Sequence, residues 1–289
     1  MMRISINSGL LSGRFGDAEA LRLFAEAGFD AVDYTFCDYL LPDSPWQQNN
    51  KEEYALSLLE NARRHRLLFN QAHAAYVYPW EKEDVVEGLV IPTVSENIRL
   101  CRRMQIDRIV VHGLSHPAVI ASKEEQFQKN VWFYNQLKPA AKEAGVKIAL
   151  ENLRRVCTTP EDYERLMDTL DDPCFTACVD IGHSILAGVD VTQIIRRLGH
   201  DRVTLLHVHD NLTKTDDHMI PGTGMLDWNE ILQALAEIHY SGDFTLEIIN
   251  LASGMMDDHH GFDDDFVPDL LKFAHVCASY LAHKLLQRM

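Results

Sequence analysis

Apolar and polar positions follow two rhythms along the chain, and the two take turns. Short runs rich in β-branched and aromatic residues fall at Arg3–Asn7, Ala31–Thr35, Leu68–His73, Arg108–His112, Lys147–Glu151, Thr176–Asp180, Val203–His209 and Phe244–Ile248. Between them apolar residues recur at helical spacing around Ala18–Ala27, Glu53–His65, Val94–Met104, Glu124–Ala144, Glu161–Leu170, Thr192–Leu198 and Trp228–His239, with a last helical stretch at Pro268–Gln287. Start and stop signals agree with this reading. Thr159-Pro160-Glu161 offers an N-cap, a first-turn proline and an acid, while Gly28 and Gly145 stand where helices should end.

Eight strand–helix units in this order predict parallel strands with right-handed crossovers, and eight is the number that closes a barrel. No Gly-, Ser- or Pro-rich linker divides the 289 residues, so residues 1–289 read as one (β/α)8 domain, a TIM barrel. An open doubly wound sheet would carry a glycine-rich turn after its first strand. Ser8-Gly9-Leu10-Leu11-Ser12-Gly13 lacks that spacing, and no nucleotide cofactor is expected. In Lys147–Glu151 the apolar Ile148 and Leu150 share one face and Glu151 takes the other; Phe244–Ile248 sets Glu247 apart in the same way. Leu68–His73 alternates poorly.

Composition narrows the class. With 46% hydrophobic and 24% charged residues, disorder, collagen and membrane spans drop out. The N-terminal MMRISINSG has no signal-peptide pattern and there is no run of about 18 apolar residues, so a cytoplasmic, membrane-free protein is expected. Six scattered cysteines without a CxxC pair read as reduced, buried thiols. The charge, 27 Lys and Arg against 43 Asp and Glu for a net −16, disfavours nucleic acid as a partner.

Five predicted strands end in a good metal donor: His73, His112, Glu151, Asp180 and His207, with Glu247 on the eighth strand as a sixth. Any one alone reads as a satisfied structural group. Together they occupy the rim of a barrel where active sites form, and burying them side by side costs several kcal/mol each unless a cation compensates. Glu151, Asp180, His207 and Glu247 share one contiguous half of that rim. Three carboxylates and an imidazole suit one divalent ion, Mn, Mg, Co or Zn.

The segments Val111-His112-Gly113, Glu151-Asn152, Asp180-Ile181-Gly182-His183, His207-Val208-His209-Asp210, Pro221-Gly222-Thr223-Gly224, Leu226-Asp227-Trp228 and Leu246-Glu247-Ile248, in that order, resemble the xylose isomerase-like barrels. That family includes sugar and sugar-phosphate isomerases and epimerases, inosose-processing enzymes and the endonuclease IV type of DNA-repair hydrolase. The resemblance implies that Glu151, Asp180, His207 and Glu247 bind one metal and that His183 contacts substrate. His73, His112 and His218 join it as expected substrate contacts. The reaction so implied is isomerisation or epimerisation of a small sugar, keto-sugar, inosose or sugar phosphate. One of Glu151 and Glu247 removes a proton beside a carbonyl and the other returns it, through a metal-stabilised enediolate. The two glutamates, three strands apart, are expected to approach a substrate from separate directions.

Two other readings stay open. An endonuclease IV-like multi-zinc phosphodiester hydrolase would draw extra ligands from His73, His112, His183, Asp216 and His218. A non-catalytic sugar-binding barrel is the other, and a homo-oligomer is compatible with all three. The acidic loops around Glu81–Glu87 and Asp257–Asp265 favour a small carbohydrate over DNA as partner. Tyr39, Trp46, Tyr76, Tyr78 and Trp80 are aromatics for a sugar face or for lid packing, and Arg154, Arg155 and Lys214 are candidates for a phosphate clamp.

Overall fold

A computed structural model describes residues 2–82, 84–120, 122–250 and 263–289. Eight strands, β1 (Ile4–Asn7), β2 (Ala31–Thr35), β3 (Leu68–His73), β4 (Arg108–Val111), β5 (Lys147–Glu151), β6 (Phe175–Asp180), β7 (Val203–His207) and β8 (Phe244–Leu246), form one parallel sheet in the order β7-β6-β5-β4-β3-β2-β1-β8. At the seam, Val208 N–H donates to Thr245 and Glu247 N–H donates to Val208. The sheet thus curls into a nearly closed barrel, and the seam lies beside His207 and Glu247.

A crossover helix follows each strand: α1 (Asp17–Ala27), α2 (Lys51–Arg64), α3 (Ile91–Arg103), α4 (Lys123–Ala144), α5 (Pro160–Leu170), α6 (Val191–Arg202), α7 (Trp228–Glu237) and α8 (Val267–Leu286). Side-chain caps start several of them: Asn50 accepts from Glu52 and Glu53 N–H, Ser122 from Glu125, Thr159 from Asp162 and Asp227 from Asn229 and Glu230. Gly145 ends α4 at φ +66°, the left-handed cap that its sequence position announces. Among the described residues no helix is long and apolar enough to cross a membrane.

Helix-facing strand residues such as Ile148, Leu150, Val179 and Leu206 are buried in the main core between sheet and helices. Inside the barrel, Val110, Ala149, Cys178 and Leu205 form a small apolar plug. The other half of the interior is polar. Ser5 Oγ donates to Asn70 Oδ1 at 2.7 Å, Asn70 Nδ2 to Thr245 Oγ1 at 3.1 Å, and Asn7 Nδ2 to Asp33 Oδ2 at 2.9 Å.

The poor alternation of Leu68–His73 has a cause. Val32 pairs with Phe69 but Asp33 pairs with Gln71, so Asn70 is the extra residue of a bulge. Five edges differ from the expected ones: β1 starts at Ile4, β6 at Phe175, β4 stops before His112, β7 at His207 instead of His209, and β8 before Glu247. Of the two alternatives for the aromatics, Tyr39 and Trp46 take packing. Both are buried, Tyr39 against Phe36 and Trp46, and Trp46 against Tyr34 and Phe36 with its Nε1 donating to Tyr34 at 3.1 Å, so they pack the β2 loop. Of the acidic segment Asp257–Asp265, only residues 263–265 are among those described.

Candidate metal centre

The barrel's C-terminal rim gathers nine ionisable side chains from the sequence reading into three touching groups. Glu151, Asp180, His207 and Glu247 each place one donor atom within 4.8 Å of the others, and all four are buried. His207 sits at the middle: its Nδ1 is 3.2 Å from Glu151 Oε1 and 3.3 Å from Glu247 Oε2. Glu151 and Glu247 thus both reach toward His207, one from β5 and one from just beyond β8.

The second group is His73, His112 and Glu151. His112 Nε2 lies 2.9 Å from Glu151 Oε2 and 3.0 Å from His73 Nε2. The third holds His183, His209, Asp216 and His218. Asp216 Oδ2 is 3.2 Å from His183 Nε2 and 3.3 Å from His218 Nε2. Glu151 ties the groups together, since His183 Nδ1 is also within 3.4 Å of it.

Buried polar scaffolding holds these side chains. Asn152 brackets Asp180, its Oδ1 accepting from Asp180 N–H and its Nδ2 donating to Asp180 C=O, both at 2.8 Å. Asp180 Oδ1 then caps the short helix Ile181–Leu186 by accepting from His183 N–H at 2.7 Å. Gly182 is required there: a Cβ would sit 2.1 Å from His209 Cε1. His209 Nε2 reaches Asp180 Oδ1 at 3.0 Å and its ring stacks on His218 at 4.0 Å. Asp210 anchors the loop that carries Asp216 and His218 by accepting from Asn211, Gly222 and Leu226 N–H and from Trp228 Nε1.

Charge balance explains why so many acids tolerate burial together. Burial pushes Glu151 up, but its contacts with His207 and then His112 hold it well below the usual carboxylate range, while burial lowers His112 itself. At Glu247 burial wins and the carboxyl is pushed up. Burial also opposes Asp180, yet His183 and His209 hold it at about 2. His183 and His207 are raised well above the ordinary imidazole value against the cost of burial, His183 chiefly by Asp180, and His218 rises to about 9 beside Asp216 and Glu247. Imidazolium protons thus carry the positive charge that the carboxylates demand.

A divalent cation fits the same donors. The four-residue group offers carboxylate oxygens and an imidazole without a thiolate, the set that Mn, Mg, Co and Zn accept. Glu151 Oε2 is within ion-pair range of His112 but outside hydrogen-bond alignment, leaving a buried oxygen unsatisfied. The flanking groups are more open, with the side chains of His112, His183 and Asp216 exposed by 29%, 13% and 43%.

Beside His112 lies a cavity of about 320 Å³ lined by Tyr76, Tyr78, Trp80, His116 and Arg155. Tyr76 lies over His112 at 5.3 Å. Arg154 and Lys214 are exposed, and Arg155 lines the cavity mouth. Asp33, on β2, and His209 received no role from the sequence. An acid in the middle of an apolar strand was the available signal for Asp33, and the second histidine of His207-Val208-His209 was the signal for the other.

Comparison with known proteins gives the family and the fold. A family model described as xylose isomerase-like TIM barrel matches residues 21–264. D-psicose 3-epimerase from Enterocloster bolteae is 28% identical over 139 residues, 47% of this chain and 44% of that protein. Inosose dehydratase from Clostridium perfringens is 25% identical over 142 residues, 43% of this chain and 48% of that protein. The chain spans about half the length of the curated relatives it matches. A solved L-ribulose 3-epimerase superposes with a TM-score of 0.75 at 18% identity, over 100% of this chain and 97% of that one.

Proposed function

Because the chain belongs to the xylose isomerase-like TIM barrel family, we propose that it is a divalent-metal-dependent isomerase or epimerase of a small sugar, keto-sugar, inosose or sugar phosphate. One observation carries this reading: Glu151, Asp180, His207 and Glu247, from the ends of four successive strands, bring their donor atoms to one buried point. A metal bound there supplies Lewis-acid polarisation of a carbonyl.

The residues themselves divide the proton chemistry. Glu151, held in its ionised form, accepts the proton from the carbon beside the carbonyl. Glu247, the second glutamate of the group, returns a proton to the substrate. Return to the opposite face of the same carbon is epimerisation, and return to the neighbouring carbon is isomerisation. His112, His183 and His218 line the more open side, where they serve as donors to substrate hydroxyls, with Tyr76 beside them and Arg155 as the cation nearest the cavity. The epimerases and the dehydratase among the relatives support a carbohydrate substrate.

The test is a panel of ketoses, inososes and sugar phosphates incubated with metal-loaded protein in D₂O. Solvent deuterium enters the product of the true substrate, and Glu151→Gln and Glu247→Gln each lower turnover by about 10²–10⁴ with the fold intact. Near-normal turnover in either variant would exclude the two-glutamate scheme.

A second reading rests on the two flanking groups: three donor clusters joined through Glu151 can hold a multinuclear zinc site for phosphodiester hydrolysis. The net charge of −16 weighs against a nucleic-acid substrate. Incision of abasic-site DNA at physiological salt would reverse the ranking.

A further inference from the structure

His207 has two ring nitrogens, and the proposed metal centre uses one. Nδ1 faces Glu151 and Glu247, while Nε2 points back into the barrel, 3.3 Å from Asp33 Oδ2. Both side chains are fully buried. Among the described residues Asp33 is the one acid within ion-pair distance of Nε2. Three buried polar atoms in this part of the barrel lack hydrogen-bond partners: His207 Nε2, Asp33 Oδ1 and the amide nitrogen of Gln71, the residue paired with Asp33 in the β2–β3 register. Asn7 Nδ2, donating to Asp33 Oδ2 at 2.9 Å, fixes the carboxylate's place, and Asn7 is itself held by Gly9 N–H donating to its Oδ1.

A buried carboxylate served by one amide donor is costly, and so is a buried imidazole nitrogen with none. The two faults cancel if the proton of His207 resides on Nε2 and points at Asp33. That tautomer leaves the Nδ1 lone pair free on the side where Glu151 and Glu247 gather. Metal-bound imidazoles are generally oriented in this way by an acceptor on the far nitrogen, a carboxylate among them.

We infer that Asp33 is a positioning residue of the metal centre: its carboxylate holds the Nε2 proton of His207 and thereby aims Nδ1 at the ion. The inference rests on the metal-centre reading above and adds a residue from the opposite half of the barrel. Asp33 touches neither substrate nor ion in this account, and acts only through His207.

Metal-free wild type, Asp33→Asn, Asp33→Ala and, as a control elsewhere in the polar interior, Ser5→Ala are titrated with Co²⁺ and followed by calorimetry and visible absorption. Asp33→Ala is expected to weaken Co²⁺ binding about 10–100-fold and to alter the Co²⁺ absorption envelope, Asp33→Asn to weaken it less, and Ser5→Ala to leave both unchanged. A merely structural Asp33 would lower the melting temperature of the metal-free protein without moving affinity or spectrum. The near-isosteric Asp33→Asn keeps the test alive if the alanine variant does not fold. Wild-type affinity and spectrum in a folded Asp33 variant would overturn this inference alone, whereas absence of Co²⁺ binding by the wild type would overturn the metal centre and the inference together.

Discussion

Asp180 belongs to the proposed centre only because Asn152 holds its backbone on both sides, with the donor and the acceptor of one amide spent on one residue. Removing that amide leaves a buried N–H and a buried C=O unpaired. Asn152→Ala is expected to cost about 2–6 kcal/mol of stability in urea unfolding, the sum of two unsatisfied groups. Residues of this kind separate what the sequence discloses from what it hides. Glu151, Asp180 and His207 are legible because each closes an apolar strand with a metal donor. Asn152 is legible only as part of a motif, because its function is a pair of backbone hydrogen bonds. Asp33 looks like one polar position in Ala31–Thr35, and its meaning appears only when the barrel brings β2 opposite β7.

At the scale of elements, sequence rhythm located all eight strands and their crossover helices, since alternation and caps are local properties. It failed where a neighbour decides. The bulge at Asn70 depends on how β3 registers with β2, and the ends of β4, β7 and β8 depend on where barrel closure stops the ladder. The β7–α7 loop is the clearest case. Its residues between 211 and 227 show candidate ligands and motif segments in the sequence but not their shape, which comes from four donors converging on Asp210 and from Asn211 Oδ1 accepting from Asp217 and His218 N–H. Those bonds turn a linker into a rigid arm carrying Asp216 and His218 to the rim. For Tyr39 and Trp46 the sequence left a sugar face and packing open, and the aromatic cluster under the β2 loop decides for packing.

For the whole molecule, the charge stored in the rim sets its pH behaviour. His183, His207 and His218 have raised values, so in the metal-free protein their stabilising contribution is full below about 6.5 and is lost as pH rises through their folded values, about 9 for His218. Asp180, held at about 2, contributes above its ordinary value and loses that contribution only as pH falls toward 2. Metal binding requires neutral imidazoles and has the opposite slope. Melting temperatures measured from pH 6 to 9 should therefore fall in the metal-free protein, while the increment produced by added metal grows. The acidity of the molecule, a net −16 with the buried Glu151, Asp180 and Glu247 gathered at one rim, favours binding of a cation there. The most direct test is the metal content of protein reconstituted with Mn²⁺ or Zn²⁺ and exhaustively dialysed. Full burial of the Glu151, Asp180, His207 and Glu247 group against the openness of its neighbours predicts about one retained equivalent, lost on Asp180→Asn. Three tightly held zinc ions, or none, would contradict it.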